Sequence, residues 1–261
     1  MRKYFFILLY LFVSFGTVEA QNMNDSIRVL FIGNSYTHFN KLPEDIQKIA
    51  ATQKIKLSYQ ACVRGGYSFK KHLQQKEEIE IIKKGVWDYV ILQEHSEAPA
   101  KPTSVVAAET YPCARTLDSL VHTYNPEAHV IFYMTWGHKD GCLSPIPNYP
   151  IIDTYTGMQE RLKTSYLEMA YQNNAWCAPV GMVWQQVRKE RPDYVLYSQD
   201  RTHPSPLGTY LAANVIFSTI HQKPYQTSYV KDLQAEQAEY IQQIAQKTVF
   251  DNLRLLNIDN E

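Results

Sequence analysis

The chain has 261 residues, with 26 Lys plus Arg against 26 Asp plus Glu, so its formal charge is zero. That balance argues against a nucleic-acid-binding surface, which needs a basic excess to release counterions. Hydrophobic residues are 45% and charged residues 20%, which argues against disorder and fits one large core.

The N-terminus reads as a secretory signal peptide over residues 1–20. Met1-Arg2-Lys3 gives a positive start, Tyr4 to Val13 is apolar, and Val18-Glu19-Ala20 ends in small residues suited to a signal peptidase. The alternative is an N-terminal anchor, for which the run is short. The expected mature chain, residues 21–261, is one exported domain, periplasmic or extracellular, with no stable membrane insertion after cleavage.

Strands and helices then alternate. Arg28 to Ile32 is a β-branched and aromatic strand, ended by Gly33-Asn34-Ser35. Leu42 to Thr52 reads as a helix with Pro43 and two acids in its first turn. Ile55 to Ala61 is the second strand, stopped by Gly65-Gly66, and Tyr67 to Lys84 the next helix. Tyr89 to Leu92 is a continuous apolar strand, as in a parallel sheet covered on both faces. Thr103 to Tyr124 reads as helix interrupted at Pro112, and His129 to Met134 as the fourth strand. Asp140 to Ile152 is a Pro- and Gly-bearing loop, and Ile151 to Asn173 contains a helix. Trp176 to Val180 is the fifth strand, before helical Val183 to Arg188, Pro206 to His221 and Val230 to Phe250. This order predicts a three-layer α/β/α sandwich around a five-stranded, mostly parallel, flavodoxin-like sheet.

In such sheets ligands bind beyond the carboxyl ends of the strands. Those ends deliver Asn34-Ser35, Arg64-Gly65-Gly66, Gln93-Glu94-His95-Ser96, Trp136-Gly137-His138 and, after strand five, Asp200 to Ser205. Polar and small residues follow each apolar run, as a catalytic rim requires. A serine hydroxyl needs a base to become a nucleophile. His203 can be that base, and Asp200, three residues earlier, can fix its tautomer. The oxyanion of acyl transfer needs preorganised donors, each worth about 3 kcal/mol in the transition state. The candidates are the Ser35 and Gly66 N–H groups and the Gln93 amide. Gly66 suits a close backbone approach.

Taken singly, these residues have simpler readings. Ser35 can cap a helix, Asp200 can make an Asx turn, and Gln93 can satisfy loop backbone. Glu94 and His95 can form a second acid/base pair or a solvated loop face. Trp136 and His138 can line the substrate pocket. Trp136 is the substrate-binding candidate, because aromatic rings suit sugar faces, with packing as its alternative. The remaining histidines lack metal-ligand spacing, so no metal or cofactor is expected. Of the four cysteines, Cys62 and Cys177 fall in strands, while Cys113 and Cys142 fall in connections where a bridge is conceivable.

The pattern resembles the SGNH hydrolases, or GDSL-like lipases and esterases. Phe31 to Thr37 (FIGNSYT) is similar to the family's first block, and Asp200 to Ser205 (DRTHPS) to its last. Gly65-Gly66 stands where the family has an oxyanion glycine, and Gln93 where it usually has Asn. Asn34 replaces the usual Asp before the serine, and the third block lacks the Gly-x-Asn-Asp pattern. The Gly-Asn-Ser and Leu-Gln-Glu blocks are similar to a bacterial subgroup known as domain of unknown function 4886. The resemblance implies a Ser35–His203–Asp200 esterase acting through an acyl-enzyme. The expected substrate is a small-molecule or polysaccharide ester, with O-acetyl groups on carbohydrate favoured by export and by the Tyr and Trp of the rim. A lipase on the same triad and a non-catalytic glycan-binding protein are the alternatives.

Overall fold

In the computed structural model, which describes residues 26–258, Val29 to Ile32 are all buried, so the first strand is covered on both faces. The expected signal peptide lies outside the described residues. Strand β1 (Ser26–Gly33) pairs in parallel with β2 (Lys56–Val63) on one side and β3 (Tyr89–Leu92) on the other. Strands β4 (His129–Tyr133) and β5 (Trp176–Ala178) continue the sheet, giving the order β2-β1-β3-β4-β5, all parallel. In this register Ile32 lies opposite both Cys62 and Leu92, and Leu92 opposite Phe132, so the carboxyl ends share one rim. The chain leaves β1 in one direction and returns to its other side as β3. That reversal opens a crevice beyond β1, the place where doubly wound sheets bind ligands.

After β1 come a single turn, α1 (Ser35–His38), and α2 (Leu42–Thr52). The expected helix over 67–84 is two pieces, α3 (Phe69–His72) and α4 (Lys76–Ile82). The break lets buried His72 meet buried Glu78 at 2.5 Å, which one continuous helix would not allow for side chains six residues apart. The next helix also divides, into α5 (Thr103–Glu109) and α6 (Tyr111–Tyr124), with Pro112 in the first turn of α6, where its missing N–H costs nothing. Helix α7 (Tyr155–Gln172) leads to β5, and α8 (Val180–Glu190) follows it. The chain closes with α9 (Pro206–His221) and α10 (Ala235–Phe250). Residues 230–234, expected as helix, precede α10 as loop, with Lys231 at φ 52°.

Helix α9 is buried from Leu207 to Ile220, because α2, α8 and α10 pack around it while it covers the sheet. Helices α6 and α7 occupy the other face, completing the three layers. Cys62 and Cys177 are buried in β2 and β5, and all four cysteines are free thiols. The conceivable Cys113–Cys142 bridge is absent: Cys113 lies on α6, and the Cys142 thiol turns to the Ser144 carbonyl. No described helix is long and apolar enough to cross a membrane.

Candidate active site

The turn after β1 is held from three sides. At Gly33 a Cβ would stand 2.6 Å from Thr37 Oγ1 and 2.7 Å from Gln93 Oε1, so only glycine fits without displacing them. Asn34 then caps α1, its Oδ1 accepting from the Tyr36 N–H at 3.1 Å. Its amide Nδ2 donates to the Tyr67 carbonyl at 3.0 Å and the Glu94 carbonyl at 3.4 Å. An Asp in this place would have no donor for either carbonyl, which gives a physical reason for Asn34. Ser35 is thereby presented, half-buried, at the mouth of the crevice.

The opposing loop arrives from α9's side of the sheet. The Trp136 indole N–H donates to the Thr202 carbonyl at 3.0 Å, and Asn40 Nδ2 donates to the Pro204 carbonyl at 3.0 Å. Between these anchors His203 reaches Ser35, with Nε2 2.8 Å from Oγ. Its Nδ1 is 2.6 Å from Asp200 Oδ2. Phe39 stacks on the imidazole at 4.3 Å between centroids, and Tyr36 meets it edge-on at 5.4 Å, so the ring has little freedom to rotate. Burial alone would raise the Asp200 pKa. The N–H groups of Thr202 and His203, the His203 ring and the Ser198 hydroxyl overcome it and hold the carboxyl well below the usual carboxylate range. Ser35, His203 and Asp200 are therefore brought together as a continuous hydrogen-bonded line.

Gly66, at φ 66°, sits in the turn after β2 that closes with a bond from Tyr67 N–H to the Arg64 carbonyl. Arg64 ties that turn down through Glu78 at 3.0 Å. Gly66 shares with Ser35 and His203 a cavity of about 390 Å³, also lined by Tyr36, His95, Ser96, Glu97, His138, Leu143 and Ser144. Gly65 does not line it. An adjoining cavity of about 440 Å³ shares Gly66, His95, Glu97 and Ser144 and adds Lys70, Lys71 and Lys101. A larger cavity of about 790 Å³, lined by Tyr155, Arg188 and Lys247 among others, shares no lining residue with either.

Two expected site residues take other places. Gln93 is fully buried, its Oε1 accepting from the Asn34 N–H and the Thr37 hydroxyl, each at 2.9 Å, and its Nε2 donating to the Glu94 carbonyl. Its amide braces the serine turn and does not face the cavity, so the oxyanion role expected for it is corrected. Trp136 is also fully buried, stacked between Tyr36 at 4.6 Å and Trp184 at 4.0 Å. It supports the floor of the site and the Thr202 loop and cannot touch substrate as expected. Glu94 departs from the solvated alternative: it is buried, accepts from the Phe69 and His95 N–H groups, and burial pushes its pKa up to about 7. The reading from sequence gave no role to Glu97, which lines the cavity. Its only sequence signal was its place just beyond the end of β3.

No protein-family model matches the sequence, and no curated protein is similar to it. Among solved structures the chain is similar to a protein from Slackia heliotrinireducens classed as an SGNH hydrolase, with 26% identity, TM-score 0.60, and coverage of 75% of this chain and 99% of that one. A DUF4886 family protein from Bacteroides uniformis aligns over 86% of this chain and 95% of its own, with 16% identity and TM-score 0.65. An acetyl xylan esterase from Geobacillus stearothermophilus aligns over 77% and 97%, with 16% identity and TM-score 0.53. The fold of this chain is the SGNH-hydrolase fold.

Proposed function

We propose that this SGNH-fold chain is an exported serine esterase that removes short acyl groups, O-acetyl above all, from carbohydrate. The observation that carries the reading is the line from Asp200 through His203 to Ser35, at 2.6 and 2.8 Å, opening onto the cavity that Gly66 also lines. Ser35 Oγ attacks the ester carbonyl while His203 Nε2 takes its proton. Asp200 keeps Nδ1 protonated and stabilises the imidazolium that forms. The Ser35 and Gly66 N–H groups receive the oxyanion. Collapse breaks the bond to the alcohol, which leaves with the proton from His203. Water, activated by the same ring, then releases the acid from Ser35.

Leu143 is the only aliphatic side chain longer than alanine in the cavity lining, which suits an acetyl group better than a long acyl chain. The polar side chains around it suit a hydroxylated alcohol. The sugar assignment also draws on the expected signal peptide and on the acetyl xylan esterases among the structural neighbours. Acetate release from acetylated xylan and hydrolysis of para-nitrophenyl acetate are the tests, each run beside Ser35→Ala. Turnover of both substrates, lost in the variant, is the expected result. Equal activity in the variant would remove Ser35 as nucleophile, and a preference for long-chain esters would overturn the carbohydrate reading.

A further inference from the structure

His138 is the one imidazole in the cavity wall that the reaction scheme leaves without a task. It follows β4, is 3% exposed, and neither ring nitrogen has a hydrogen-bond partner among the described residues. Leaving buried polar atoms unpaired is costly, so such a group in a binding cavity points to a ligand. The ring is held in place. Its backbone N–H meets Met158 Sδ at 3.3 Å, and Nδ1 lies 3.6 Å from Glu97 Oε1. That oxygen is fixed in turn by the Leu143 N–H at 2.9 Å.

A carboxylate beside Nδ1 repels a lone pair there and attracts a proton. Burial is the main influence lowering the His138 pKa, helped by His95 and His203 and opposed by Glu97 and Asp200, so the ring is neutral at pH 7. A neutral ring with its proton on Nδ1 offers a bare Nε2. In the wall of a cavity that holds an ester, a lone pair accepts from an O–H.

We propose that His138 Nε2 accepts a hydrogen bond from a free hydroxyl on the alcohol part of the substrate, with Glu97 fixing the tautomer that makes this possible. The proposal rests on the esterase reading and narrows it: the preferred substrate is a partly acylated polyol or sugar with an unesterified hydroxyl beside the scissile ester. Simple alkyl esters and fully acylated sugars lack that donor. His138 is then a specificity-determining residue, and Glu97 is a positioning residue acting through it.

The test compares two substrates, a monoacetylated methyl xyloside with a free hydroxyl beside the ester and the deoxy analogue lacking that hydroxyl. The wild type should favour the hydroxylated ester by about tenfold in kcat/KM, the scale of one hydrogen bond made in place of an unpaired buried group. His138→Phe should bring the ratio near one, and His138→Gln, which keeps an acceptor, should restore part of it. Equal ratios in wild type and His138→Phe would overturn the proposal. A second measurement needs no turnover. In nitrogen-15 histidine-labelled Ser35→Ala, millimolar methyl xyloside should move the His138 Nε2 resonance to lower frequency, as a bare ring nitrogen does on gaining a donor. An unmoved resonance overturns the proposal, and a moved one supports it even if the chain hydrolyses no ester.

Discussion

The amide at position 34 shows how one side chain sets the geometry of the serine turn. It accepts from Tyr36 and donates to two carbonyls, so it links the ends of β1 and β3 and the loop after β2. From sequence it stood only as a departure from the family's Asp, because its two acceptors lie on segments remote in the chain. Glu94 belongs to the same junction. Its carboxyl receives the Phe69 and His95 N–H groups in a buried setting, with Lys101 as a distant cation. The folded state raises its pKa from 4.5 to about 7, so the folded protein holds a proton that the unfolded chain has already released. The resulting contribution to stability is fully present below pH 4.5 and is lost as pH rises to about 7. Linkage puts the loss at about 3 kcal/mol at most. Glu94→Gln should flatten this slope, and urea unfolding at pH 5 and pH 8 measures it. A slope unchanged by the substitution would show that Glu94 titrates in the usual carboxylate range.

At the scale of elements, the site is made by the carboxyl ends of β1 and β3 and the loop before α9. The strands were legible because each is a short apolar run, and Ser35, Asp200 and His203 were legible because each follows such a run or precedes a helix. Gln93 and Trp136 were misplaced for one reason. Position in sequence says which residues leave a strand, but not whether the next side chain turns into the rim or back under it. Gln93 turns back because the Asn34 N–H and the Thr37 hydroxyl need an acceptor there. Gln93→Leu should therefore cost stability, about 1–3 kcal/mol for two stranded buried donors. The loss of kcat should follow from a loosened serine turn. A variant with wild-type Tm and a pure fall in kcat would instead return Gln93 to the oxyanion. The helices broke where sequence periodicity could not show it, as at residues 73–75, because the break serves a tertiary pair, His72 with Glu78.

For the molecule as a whole, the sheet order and the alternation of strands and helices were legible from apolar runs and their turn residues. The placement of β3 beside β1 then follows from the topology of doubly wound sheets. The shape of the cavity was not legible, because its walls come from five loops whose mutual packing no local pattern encodes. Those loops converge on one nucleophile, and that convergence is the central claim. Treating the protein with a fluorophosphonate and mapping the adduct by mass spectrometry tests it most directly. One phosphonyl group should appear on the peptide carrying Ser35, and none should form in His203→Ala, which lacks the base. An adduct on another serine, or no adduct on a folded wild-type protein, would contradict the account.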